Sequence, residues 1–192
     1  MARPKREEQE KSAKERIEDA FFTMLSIMSF EDITIRALAA EAGVNHNLIY
    51  YYYENLQDLA REALDHTASE ELILQVLEAI RDQTFRPEVF LLDAALMERV
   101  RRVRLYVRGD SAFLTGLFQN LLAEYWLRQM GRTEDSLSKE DRVDLRFILA
   151  GLCSLLSDQT LFSDPSTILS IWDRDLGRGI YQTLARISTS PQ

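Results

Sequence analysis

The sequence predicts an all-α protein, and three observations carry that reading. Glycine and proline are scarce, 7 and 4 among 192 residues, and they stand where helices would stop. Apolar residues recur at three- and four-residue spacing along most of the chain. Serine, threonine or asparagine precedes several of those runs, where a side-chain oxygen is needed to accept the first free backbone N–H groups.

Ile17, Ala20, Phe21, Met24, Leu25 and Met28 give a first helix from about Lys11 to Met28, with one apolar face. Thr34 caps a short second helix bearing Ile35, Leu38, Ala39 and Ala42, which ends at Gly43, the residue type best able to turn left-handed. Asn45 caps a third helix after a turn of about three residues. Two short helices joined by a glycine turn and braced by a longer one outline a helix-turn-helix unit, with the third helix as its reading element. A fourth helix, from Asn55 to about His66, links this unit to the rest, so residues 1–60 and 61–192 are the expected domains.

The third helix, in "VNHNLIYYYYENL", contains four consecutive tyrosines, which at ~100° per residue point almost all the way round a helix. Tyr53 falls with Ile49 on the core side and Tyr52 flanks it. Tyr50 and Tyr51 point outward, at four-residue spacing from His46 and Asn47. Imidazole, amide and phenol groups donate to phosphates and touch base edges without net charge, so this face suits a DNA major groove. The competing reading makes the rings oversized packing residues. Thr34, Arg36, Tyr50 and Tyr52 are candidate phosphate anchors, with the free N–H groups near Thr34 and Asn45. A basic N-terminal arm that includes Arg3, Lys5 and Arg6 either lies on phosphates or in a minor groove, or is a solvated leader.

Charge argues the other way. From Ile17 to His66 only Arg36 and Arg61 oppose nine acidic residues, a net charge of −7, so few fixed positive charges are available to neutralise phosphates.

Beyond the link, a helix is expected over Ser69 to Gln83, and Pro87 starts another. That one ends in a cluster of Arg99, Arg101, Arg102, Arg104 and Arg108, which could hold an anionic effector, neutralise the acidic domain or form a solvated face. Asp110 or Ser111 opens a helix rich in Phe113, Leu117, Phe118, Leu121, Leu122, Tyr125 and Trp126 that stops near Gly131. Ser138, with Asp141 three residues on, caps a long helix to about Phe162, and Pro165 starts the last, reaching about Ile187. Ala150, Gly151, Ser154 and Ser157 on the first of these, and Gly177 and Gly179 on the second, leave narrow surfaces that another helix can approach, within the chain or from a second copy.

Residues from about Ile17 to Leu64, through "SFEDITIRALAAEAGVNHNLIYYYYENLQDL", resemble the DNA-binding domain of the tetracycline-repressor (TetR) family of bacterial regulators. Ser29 stands where that family usually has Gly, Asn47 where it often has Gly, Leu48 where it favours Thr, Tyr53 where it has Phe, and Leu56 where it usually carries a phosphate-reaching Lys. The resemblance implies a transcriptional regulator, most simply a repressor. It also implies a homodimer formed through the helices at about 139–162 and 165–187, bound to a palindromic double-stranded operator. An apolar cavity is implied in the C-terminal domain for a small apolar or amphipathic effector. Phe90, Met97, Phe113, Leu117, Phe118 and Trp126 are its candidate walls, closed by the helix of Phe147, Leu152 and Leu156, although aromatic and Met stripes at this spacing are also ordinary core.

Other classes fit less well. No apolar run approaches the ~18 residues that span a bilayer, the charged N-terminus lacks the apolar segment of a secretory signal, and the lone Cys153 has no partner for a disulfide. A cytoplasmic location is expected. With two histidines, one cysteine, no paired Glu-x-x-His motifs and no glycine-rich phosphate loop, neither an enzyme nor a cofactor or metal site is expected. The remaining alternative is a helical ligand-binding or adaptor protein of the same fold that has lost DNA binding.

Overall fold

The computed structural model describes residues 12–71, 73, 93–109, 111–158, 160, 170 and 174–189. It is all-α, with no strand among the described residues, and none of the described helices is long and apolar enough to cross a membrane. The chain divides into two compact units, Met1–Leu59 and Ala60–Gln192.

In the first unit, α1 (Ala13–Ile27) opens on Ser12, whose hydroxyl accepts from Glu15 N–H while the Glu15 carboxylate accepts from Ser12 N–H, satisfying two free donors at once. Helix α1 buries Ile17, Ala20, Phe21, Met24 and Leu25. Phe21 meets Phe30, on the short 3-10 turn Phe30–Asp32, edge to face at 6.3 Å between ring centres. Helix α2 (Ile35–Ala42) packs on α1 and on α3 (His46–Tyr52), contributing Leu38, Ala39 and Ala42 to the core, where Ile49 of α3 is also buried.

Helix α4 (Leu56–Thr67) runs through the boundary between the units. In the second unit, α5 (Ala94–Val107), α6 (Ala112–Gln129) and α7 (Lys139–Ser157) pack pairwise on one another, and α8 (Asp175–Thr189) packs on α7. Ser111 caps α6 and Ser138 caps α7. Gly131, at φ 64°, takes the left-handed turn after α6.

Three sequence expectations change here. A helix starting at Pro87, a residue outside the described ones, does not run unbroken into the arginine cluster. Asp93 is extended, and its carboxylate accepts from Ala95 and Leu96 N–H at 2.9 and 3.0 Å, so it starts α5 anew. Helix α7 ends at Ser157, because Asp158 turns extended and its carboxylate accepts from Thr160 N–H, rather than running on to Phe162. Helix α8 begins at Asp175 after a bend at Arg174, and so is shorter than the expected span from Pro165, which itself lies outside the described residues. The expected helix over 69–83 is also largely outside them.

Candidate nucleic-acid interface

The α2–α3 junction is set by local chemistry. Thr34 Oγ1 accepts from Ala37 N–H at 3.2 Å and starts α2. At its other end Gly43 sits at φ 62° and ψ 39°, Val44 N–H reaches back to Ala39 O at 3.0 Å, and Gly43 N–H reaches Ala40 O at 3.2 Å. This paired closure satisfies two end carbonyls and turns the chain within two residues. Asn45 Oδ1 then accepts from Asn47 N–H at 2.9 Å and starts α3. The two short helices are therefore fixed to each other by caps and by the Leu38–Ile49 core rather than by a long loop.

The four tyrosines separate as helical geometry requires. Tyr53 is buried, Tyr52 is half-buried, and Tyr50 and Tyr51 are 56% and 79% exposed. The Tyr53 hydroxyl donates to Glu18 Oε1 at 3.0 Å, and Lys14 Nζ lies over its ring at 5.7 Å from the centre. Tyr51 stands edge-on to Tyr52, with ring centres 5.1 Å apart and planes at 82°; Tyr52 in turn lies 6.3 Å from Tyr53.

Thr34, Arg36, Asn45, His46 and Asn47 are all exposed. The structure brings Arg36, His46 and Tyr50 together with Ile35 around an open cleft of about 420 Å³. Leu56 is half-buried at the start of α4, so the position where the resemblance implies a lysine presents no cation. Lys5 and Arg6 lie outside the described residues.

The candidate effector walls are less uniform. Phe118 and Trp126 are buried, Met97 and Leu117 are half-buried, Phe113 is 37% exposed, and Phe90 lies outside the described residues. Phe147 does not close a cavity: it is 79% exposed, because α7 buries Leu145, Leu149 and Cys153 on a different face. Burial pushes the Cys153 thiol up to about 11, only partly offset by a hydrogen bond with Gln119, so it stays a protonated core group rather than a nucleophile.

Of the five arginines, Arg104 donates from Nε to Leu156 O at 2.9 Å, tying α5 to α7, and burial holds its pKa below the ordinary value. Arg101 and Arg102 both reach Glu98 one turn back. Arg101, Arg102 and Arg104 are thus engaged within the second unit.

Sequence reasoning missed how α4 is tied to that unit. Tyr106 Oη donates to Ala60 O at 2.8 Å and Tyr125 Oη donates to Asp65 Oδ1 at 2.5 Å. Burial, then the hydrogen bond and charge of Asp65, raise the Tyr125 phenol well above its ordinary value; Glu70 adds to this and Arg128 opposes it. Tyrosines at helical spacing carry no sign of which carbonyl or carboxylate they will meet, so only the fold shows these bonds. Among the described residues, no group of three or more His, Cys, Asp or Glu side chains could hold a metal ion.

No protein-family model matches the chain, and no curated protein matches it. Among the solved structures similar to it are three at 16% sequence identity. One is the TetR family repressor AlkX from Dietzia sp., implicated in biodegradation of n-alkanes, with 93% of this chain and 99% of that chain covered at a TM-score of 0.45. Another is the fatty acid degradation regulator FadR from Bacillus halodurans, with 93% and 96% covered at 0.42. A third, from Pseudomonas aeruginosa PAO1 and named as a transcriptional regulator, has 89% and 93% covered at 0.40.

Proposed function

We propose that the chain is a sequence-specific DNA-binding transcriptional regulator, acting as a repressor on a palindromic operator and released when a small apolar or amphipathic effector binds the C-terminal domain. The observation that carries this reading is the exposed face of α3. His46, Asn47, Tyr50 and Tyr51 stand in solvent on a short helix fixed by Gly43 and Asn45 beside the N-terminus of α2, with Arg36 adjacent. Exposed aromatic surface is costly without a partner, and phenol, imidazole and amide groups are the chemistry that a major groove accepts. An effector acts by preferring a conformation that binds the operator poorly, which lowers affinity by its differential binding.

A homodimer is part of the proposal. Val143 and Phe147, 67% and 79% exposed, share one stripe of α7 with exposed Ala150, Gly151 and Ser154. Apolar rings and small residues on one exposed stripe support burial against a second copy.

The net charge of −7 over 17–66 and the half-buried Leu56 favour a second reading, a ligand-binding or adaptor protein without DNA affinity. Selection of bound duplexes from a random library decides between them. A palindromic site preferred at least ~10³-fold over non-specific DNA supports the regulator. Recovery of no sequence by folded, ligand-free protein overturns it in favour of the second reading.

A further inference from the structure

Resting on the DNA-binding reading above, the arrangement of α3 goes further, to the base pairs that are read. The outward side chains of α3 divide into two groups. His46 and Tyr50 share the open cleft with Ile35 and Arg36. The guanidinium gives that cleft a positive charge, which suits it to the sugar-phosphate backbone. Asn45 is occupied as the cap, its Oδ1 taken by Asn47 N–H. Asn47 and Tyr51 remain, one turn apart, exposed, and not among the residues that line the cleft.

Their chemistry differs from that of the cleft. The Asn47 side-chain amide has no hydrogen-bond partner among the described residues, so its carbonyl and NH2 are both free for a ligand. An acceptor beside a donor complements adenine, whose major-groove edge offers N6–H and N7. Guanine presents two acceptors there, cytosine only a donor, and thymine an acceptor with a methyl group. Tyr51 is 79% exposed, yet its orientation is supported from the core through Tyr52 and Tyr53. An apolar ring presented in this way gains most from apolar surface, and on the major-groove floor that surface is the thymine methyl. Four residues of helix advance ~6 Å, against ~3.4 Å per base step along one strand, so both contacts fall within about two base pairs.

We infer that Asn47 and Tyr51 read an adenine and a thymine within two base pairs of each other in every half-site, while the Arg36–His46–Tyr50 cleft takes the backbone. The test uses the full chain and the duplex selected as above. Each thymine is replaced in turn by deoxyuridine, which removes only the methyl, and each adenine by 7-deaza-adenine, which removes only the N7 acceptor. Affinities are measured for the wild type, Asn47→Ala and Tyr51→Ala.

The expected result is one deoxyuridine position that weakens the wild type about fourfold but not Tyr51→Ala. A neighbouring 7-deaza position should weaken the wild type about fivefold or more but not Asn47→Ala. A selected duplex in which no such positions exist, or in which both effects persist in the two variants, overturns the assignment while leaving the regulator intact. Failure to select any duplex removes the regulator reading and this assignment with it.

Discussion

The Tyr53 hydroxyl donates to the Glu18 carboxylate at 3.0 Å, joining the residue that follows α3 to the first turns of α1 across 35 positions of sequence. The bond explains how a phenol can occupy a buried position where the resembling family has phenylalanine: its one polar atom is satisfied. Tyr53→Phe keeps the ring beside Lys14 and removes the bond to Glu18. It is expected to lower the stability of the first unit by about 1 kcal/mol, read as a shift in the urea midpoint. No shift would mean that water serves Glu18 as well as Tyr53 does.

Gly43→Ala isolates backbone strain from crowding. A Cβ built at Gly43 meets nothing within 4 Å, so the cost comes from holding φ at 62°. Alanine there should cost about 1–2 kcal/mol, and asparagine, which tolerates the left-handed region, less. Urea unfolding of the three proteins gives the ranking, and an alanine variant as stable as the wild type would show that the turn relaxes.

These two sites mark what the sequence made legible. Thr34, Gly43, Asn45, Ser111 and Ser138 act where side-chain or glycine chemistry forces a helix to start or stop, and the tyrosine split follows from helical pitch alone. Asp93 was not legible because apolar residues continue on both sides of it, so the helical period reads through the break. The exposure of Phe147 was not legible for a related reason. Helix α7 carries two apolar faces, and periodicity does not say which one the chain buries. The Tyr125–Asp65 and Tyr106–Ala60 bonds join residues 60 and 46 positions apart, and no local pattern encodes them.

Arg36 is the cation of the candidate interface cleft, and its contribution can be separated from base reading. Arg36→Ala should weaken operator and random DNA by similar factors and flatten the slope of log K against log salt by about 0.9 for each bound copy. Titrations at several salt concentrations measure this. A loss confined to the operator would instead place Arg36 on a base edge.

Tyr125→Phe tests the tie between α4 and α6 through pH. The phenol pKa is raised in the folded state, mainly by burial, so its contribution is fully present below the unfolded value near 10 and is lost as pH rises through that value toward the folded one. At neutral pH the variant should be about 1 kcal/mol less stable, through the lost bond to Asp65. Above about pH 10 the wild type should lose stability faster and the gap should narrow. Urea midpoints from pH 8 to 11 for both proteins show it, and parallel curves would mean that Tyr125 titrates normally.

The exposed stripe on α7 makes the proposed dimer testable without disturbing the fold. Val143 and Phe147 stand in solvent within one chain, so replacing both by Glu should leave the monomer's stability within about 0.5 kcal/mol. Against a second copy the same carboxylates would be buried without partners, at a cost that no close-packed helix interface offsets. Sedimentation should therefore find the wild type dimeric and the double variant monomeric at the same concentration, with unchanged helix content. The variant should also lose operator affinity, because one reading helix then binds where two bound together. A double variant that remains a dimer would remove α7 from the interface, and a monomeric one with full operator affinity would separate dimerisation from DNA binding.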